Sequence, residues 1–91
     1  MNKSELVKAL AEVGGLSMKA AKQTVSTVFD TLTEAILADE RIEIRGFGSF
    51  VNKHYDAYVG RNPKTGEKIQ VPEKKLPFFK VGKELRNRVD S

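Results

Sequence analysis

The chain is predicted to be α+β: two N-terminal helices, a three-stranded antiparallel sheet drawn out into a long protruding β-arm, and a short C-terminal helix. Three observations carry that prediction. Apolar residues recur at helical spacing up to about residue 38, and from Arg41 the period changes to two. A turn-forming run, G-R-N-P-K-T-G from Gly60 to Gly66, sits between two strand-like segments. After Gly82 a helical pattern returns through Val89.

The first helix is expected from Asn2 to Val13. Asn2 is a good N-cap with Glu5 three residues on, and Leu6, Val7, Leu10 and Val13 recur at helical spacing. Gly14 and Gly15 stop it. Ser17 caps a second helix running to about Ala38, whose apolar stripe is Ala21, Val25, Val28, Phe29, Leu32, Ala35 and Ile36. Two helices joined by a glycine-containing turn also fit a helix-turn-helix DNA reader. Against that, the outward face of the second helix mixes Lys19, Lys22 and Gln23 with Asp30 and Glu34, a poor surface to press against phosphates. A helical core layer is the plainer reading.

From Arg41 to Arg45, charged residues alternate with Ile42 and Ile44, as in a strand with one apolar face. G-F-G, Gly46 to Gly48, turns the chain. The outgoing strand of the hairpin is expected over Phe50 to Val59, and the return strand over Lys68 to Val71, resuming at Leu76 to Lys80. Pro72 and Pro77 cannot donate to a ladder, so the return strand must bend, bulge or lie at an edge there. Lys83 to Val89 forms the last helix, with Leu85 and Val89 inward. The whole is one domain, residues 1–91, with a body of 1–52 and 76–91 and an arm of about 53–75. Strands of about ten residues reach roughly 30 Å. A chain of this length cannot bury such an arm, which is therefore built to touch something else.

Holding the arm in solvent leaves 68 residues to form a core, thin for a stable monomer. Phe47, Phe50, Phe78 and Phe79 flank the arm, so a second chain sharing one aromatic core is the natural remedy. A homodimer is expected, its core formed by Phe29, Phe47, Phe50 and Phe79.

Charge is divided along the chain. Residues 1–40 carry four lysines against six acids, a balance of −2, and residues 41–91 carry twelve Lys or Arg against six acids, a balance of +6. Positive charge concentrated on the half that carries the arm points to a polyanion, with nucleic acid ahead of anionic membrane because no basic amphipathic helix accompanies it. On charge alone, a solubilising surface is the competing reading. No apolar run approaches the roughly 20 residues of a membrane span, Met1 to Lys8 has no signal-peptide core, and cysteine is absent, so a cytoplasmic location is expected.

Catalysis has little material. His54 is the only histidine and reads as an ordinary exposed side chain, and cysteine is absent, so nucleophile–histidine and thiolate–metal arrangements have little material. A phosphate-cradling G-x-x-x-x-G-K-[ST] loop needs lysine where this chain has Glu67. No enzyme activity, cofactor, metal or small-molecule substrate is expected.

G-F-G-S-F (Gly46 to Phe50), G-R-N-P-K-T-G-E (Gly60 to Glu67), F-K-V-G-K-E-L-R (Phe79 to Arg86) and N-K-S-E-L (residues 2–6) together resemble the bacterial HU and integration host factor family. The resemblance covers essentially the whole chain. It implies an intertwined dimer that bends or compacts duplex DNA in the bacterial nucleoid, its two β-arms enclosing the duplex through the minor groove. That is the behaviour of a class of architectural proteins to which HU and integration host factor themselves belong. Each arm tip would set a proline, here Pro63, between base pairs.

A wedge of this kind must be apolar, rigid and exposed, and proline loses almost no rotamer entropy on insertion. Arg61 and Asn62 flank it at the tip, with Arg61 suited to the minor groove. Lys53, Lys64, Lys68, Lys74, Lys75 and Lys80 are expected along the phosphates, and Lys3, Lys83 and Arg86 where bent DNA returns to the body. The competing reading is that Pro63 only shapes a turn. The family usually carries basic residues where this chain has Tyr55 and Tyr58, with Asp56 between them. R-I-E-I-R-G-F-G-S-F (Arg41 to Phe50) is most like the β-subunit branch of the family, which implies base-reading roles for Glu43 and Arg45 and admits a heterodimer. Those two residues serve equally well as a solvated pair. A module whose arm adds strands to a partner's sheet is a rival from another class.

Overall fold

Asn2 starts α1, Lys3–Gly14, by accepting the Glu5 amide proton on its side-chain oxygen at 2.9 Å. Ser17 does the same for α2, Met18–Leu37, accepting from the Ala20 amide at 3.1 Å. Both caps fall where the sequence predicts them. The computed structural model describes residues 1–91, and the helices are followed by β1, Ile42–Ile44, β2, Gly48–Tyr55, β3, Tyr58–Arg61, β4, Lys68–Val71, β5, Lys74–Val81, and α3, Lys83–Val89. No helix is long and apolar enough to cross a membrane.

The strands form two sheets. A three-stranded antiparallel sheet has the order β1-β2-β5, and a two-stranded ribbon, β3-β4, continues the hairpin beyond it. The outgoing strand is thus broken at Asp56–Ala57 rather than continuous to Val59, and the return strand breaks at Pro72–Glu73 and resumes at Lys74, two residues before the expected Leu76. Pro72 accounts for the break, since it has no amide proton for a ladder. Pro77 is tolerated inside β5 because β5 is an edge strand.

Gly48 is the buried point where β2 begins. A Cβ there would lie 2.6 Å from the Lys80 carbonyl oxygen and against the Phe79 ring, so only glycine lets the strands approach. Above it Phe79 packs on Phe50 and Phe47, with ring centroids 4.8 and 5.5 Å apart.

Between the helices, Val7 and Ala11 of α1 meet Ala21 and Val25 of α2, with Leu6 and Leu10 alongside. These four are the only buried apolar side chains in the chain. Val13 and Val89, expected to face inward, are largely exposed, because each lies in the last turn of its helix with no element of this chain over it. Phe29, Phe47 and Phe79 are each more than a third exposed, and Phe29 sits on α2 beside Leu6, Leu10 and Val28, apart from the aromatic trio. The accessible surface is 7837 Å², against about 5,300 Å² for a folded monomer of this mass. The radius of gyration is 19.3 Å where about 12 Å suits this length. A single chain leaves its core half-built.

Candidate nucleic-acid interface

The arm tip is held by its own turn chemistry. The Asn62 side chain accepts from the Lys64 amide at 2.9 Å, the Gly66 amide donates to the Asn62 carbonyl at 2.7 Å, and the Asn62 amide donates to the Glu67 carbonyl at 2.9 Å. Gly66 takes φ 73°, which a side chain would resist. Pro63 is thereby presented to solvent at the end of a stiffened loop.

Register decides which cations share a face, because side chains alternate across a strand. Lys53, Tyr55, Lys74, Leu76, Phe78 and Lys80 lie on one face of the three-stranded sheet. There Lys53 Nζ stands 3.6 Å from the Phe78 ring centroid, and Lys74 Nζ lies 5.5 Å from that of Tyr55. In the ribbon, Arg61 pairs with Lys68 on one face, and Tyr58, Ile69 and Val71 occupy the other. Lys75, next to Lys74 in sequence, points to the opposite face of β5, paired with His54. The structure therefore gathers Lys53, Lys74 and Lys80, gathers Arg61 with Lys68, and separates Lys75 from them.

Lys3 lies at the start of α1 and lines an open hollow with Ser4, Val7, Met18, Lys19 and Lys22. Lys19 and Lys22 escape a reading of α2 by itself, where Asp30 and Glu34 dilute them. They become a basic group only when the first turn of α1 and the first turns of α2 are brought to line one hollow. Lys83 and Arg86 are exposed on α3. Glu43 pairs with Arg41 at 3.6 Å, both well exposed, and Arg45, just past β1, has no ion pair.

On the other face of the arm root a polar group ties the arm to α2. Asn52 Nδ2 donates to the Ile36 carbonyl at 2.9 Å and to Asp39 Oδ1 at 3.0 Å, and His54 Nε2 lies 3.3 Å from Asp39 Oδ2. The Asn52 hydrogen bond, opposed by desolvation and reinforced by attraction to His54 and Lys75, holds the Asp39 carboxyl below its ordinary value. The sequence signals none of this, because residues 39, 52 and 54 meet only through the turn after α2.

The sequence profile of the family described as Bacterial DNA-binding protein matches residues 1–90. Integration host factor subunit beta of Burkholderia pseudomallei is 56% identical over 91 residues, covering 99% of this chain and 85% of that protein. The subunit of the same name from Neisseria gonorrhoeae is 52% identical over 96 residues, covering 99% and 92%. Among solved structures, an Anabaena HU–DNA cocrystal matches with a TM-score of 0.84 and 39% identity over 98% of this chain and 97% of that one.

Proposed function

Because this chain belongs to the family of bacterial DNA-binding proteins, we propose that its β-arm is the element by which it, as an architectural DNA-binding protein acting as a dimer, grips and bends the duplex through the minor groove. The observation that carries this reading is the arm itself: cations aligned on one face of its root, Arg61 and Lys68 together on the ribbon, and an exposed proline at a stiffened tip. Lys53, Lys74 and Lys80 meet phosphates as the duplex crosses the sheet. Arg61, with Asn62 and Lys64 beside it, enters the groove, and Pro63 opens a base step. Lys3, Lys83 and Arg86 receive the flanking DNA. The working unit is one domain, residues 1–91, with a body of 1–52 and 76–91 and an arm of 53–75. Phe29, Phe47, Phe50 and Phe79 are the residues a second copy covers.

Its role is binding rather than catalysis, in the cytoplasm with the bacterial nucleoid. The test is a titration of duplex DNA at several salt concentrations, with end-to-end energy transfer reporting the bend. Binding through phosphates gives a log–log slope of about −0.9 per contact, so a multi-contact complex weakens steeply with salt while the duplex ends approach each other. An arm that adds a strand to another protein's sheet has no such salt dependence.

A second reading, a site-preferring subunit of a heterodimer, is favoured by the relatives named integration host factor subunit beta and by Arg45, which is free of any ion pair. Arg45→Ala then lowers affinity for a selected site while leaving affinity for random duplex unchanged.

A further inference from the structure

The turn that ends α2 closes with Asp39 at φ 61°, the one residue other than glycine with positive φ. The Asp39 amide donates to the Ile36 carbonyl at 3.1 Å, and the Glu40 amide to the Ala35 carbonyl at 2.9 Å. This is the two-bond helix ending whose left-handed position glycine fills most readily. An aspartate there bears a conformational penalty that glycine avoids, and its carboxylate is aimed across at β2. Asn52 spans both sides of the gap, donating to Ile36 at the helix end and to Asp39 in the turn, so the second lone pair of the Ile36 carbonyl is also used. His54 is two residues further along the same face of β2, where the sheet gives way to the ribbon. The groups facing it are Asp39 from the turn and Lys75, its pair on β5.

Resting on the reading of the arm as the DNA-bending element, we propose that Asp39 and Asn52 are positioning residues that clamp the arm root to the C-terminus of α2, and that protonation of His54 tightens the clamp. With His54 neutral, Asp39 is held by Asn52 and by no more than an uncharged imidazole N–H, and Lys75 competes for its carboxylate. With His54 protonated, the carboxylate bridges Asn52 and the imidazolium, and Lys75 is repelled from the pair. Asp39, held below its ordinary value, stays ionised throughout the range in which imidazoles change charge. The arm therefore leaves the body along a better defined direction at mildly acidic pH, and the two arms of a dimer enclose DNA with a more sharply set bend.

The chain has no cysteine, so Thr65→Cys allows a spin label at each arm tip of the full-length dimer. The tip-to-tip distance distribution of the free protein is measured at about pH 5.5 and about pH 8, spanning the imidazole range. The expected result is a narrower distribution at the lower pH, a loss of that narrowing in His54→Gln, and a broad distribution at both pH values in Asp39→Gly. Glycine suits the left-handed position, so Asp39→Gly keeps its fold. A distribution that does not narrow on acidification, or a narrowing that survives His54→Gln, overturns the proposal. No DNA is present in this measurement, so failure of the bending reading is seen separately, as an unchanged energy transfer between duplex ends.

Discussion

Lys53 and Phe78 occupy diagonal positions on β2 and β5, with the Lys53 ammonium 3.6 Å from the centre of the Phe78 ring. An exposed lysine is ordinarily a mobile point charge, and the ring holds this one on the face it shares with Lys74 and Lys80. Lys53→Gln is expected to flatten the log–log salt dependence of DNA binding by about 0.9, the loss of one phosphate contact. Phe78→Leu keeps the charge, so the slope stays as in wild type while affinity falls only by what the ring contributes to pre-positioning Lys53, less than the about 0.5–1 kcal/mol of the exposed cation–π contact itself. Salt titrations of the two variants separate charge from its positioning.

Pro63 is exposed on a loop fixed by Asn62 and Gly66. Pro63→Ala is expected to reduce the DNA bend more than the affinity, because contacts to phosphate remain while the base step loses its rigid wedge. Energy transfer between the ends of a short duplex reads the first, and a binding isotherm the second. An unchanged bend would make Pro63 a turn former only.

Tyr55 and Tyr58 are separated by the structure. Tyr55 shares its face with Lys53 and Lys74, whereas Tyr58 lies on the ribbon face opposite Arg61 and Lys68. Tyr55→Arg is expected to tighten binding at low salt and steepen the slope by nearly 0.9, and Tyr58→Arg to leave the slope nearly unchanged. Equal steepening in both variants would show that the duplex contacts both faces of the arm.

Phe47 stacks on Phe79 yet is 47% exposed in one chain. Phe47→Ala is expected to destabilise the dimer by about 3–5 kcal/mol. The unfolding midpoint then depends strongly on protein concentration. A wild-type protein that sediments as a folded monomer at micromolar concentration would contradict the shared core.

Asp39 has a folded-state value below the 3.8 expected of it in the unfolded chain. Such a group contributes stability that is fully present above the unfolded value and is lost as pH falls through the folded one. The difference in melting temperature between wild type and Asp39→Asn is therefore expected to be present above about pH 4 and to shrink as pH falls below it. Melting curves across that range check the sign.

The order and type of the elements, both helix caps, the tip turn and the need for a second chain were legible in the sequence alone. Each depends on residues that are neighbours along the chain: the spacing of Leu6, Val7 and Leu10, the Asn2 and Ser17 caps, and Pro63 and Gly66 in one short loop. Even the dimer follows from counting, since residues 53–75 in solvent leave too few to bury the phenylalanines. Which side chains meet was decided only by the tertiary structure. Lys74 and Lys75 look equivalent in sequence, and a single pairing register, His54 opposite Lys75, sends them to opposite faces. Lys3, Lys19 and Lys22 become one basic hollow only when α1 packs back against α2. The clamp of Asp39, Asn52 and His54 needs a left-handed turn, a helix end and a strand brought together at once. Periodicity and turn chemistry are local and survive in the linear code, whereas register and helix packing arise from contacts between residues far apart in the chain, whose partners no spacing rule identifies.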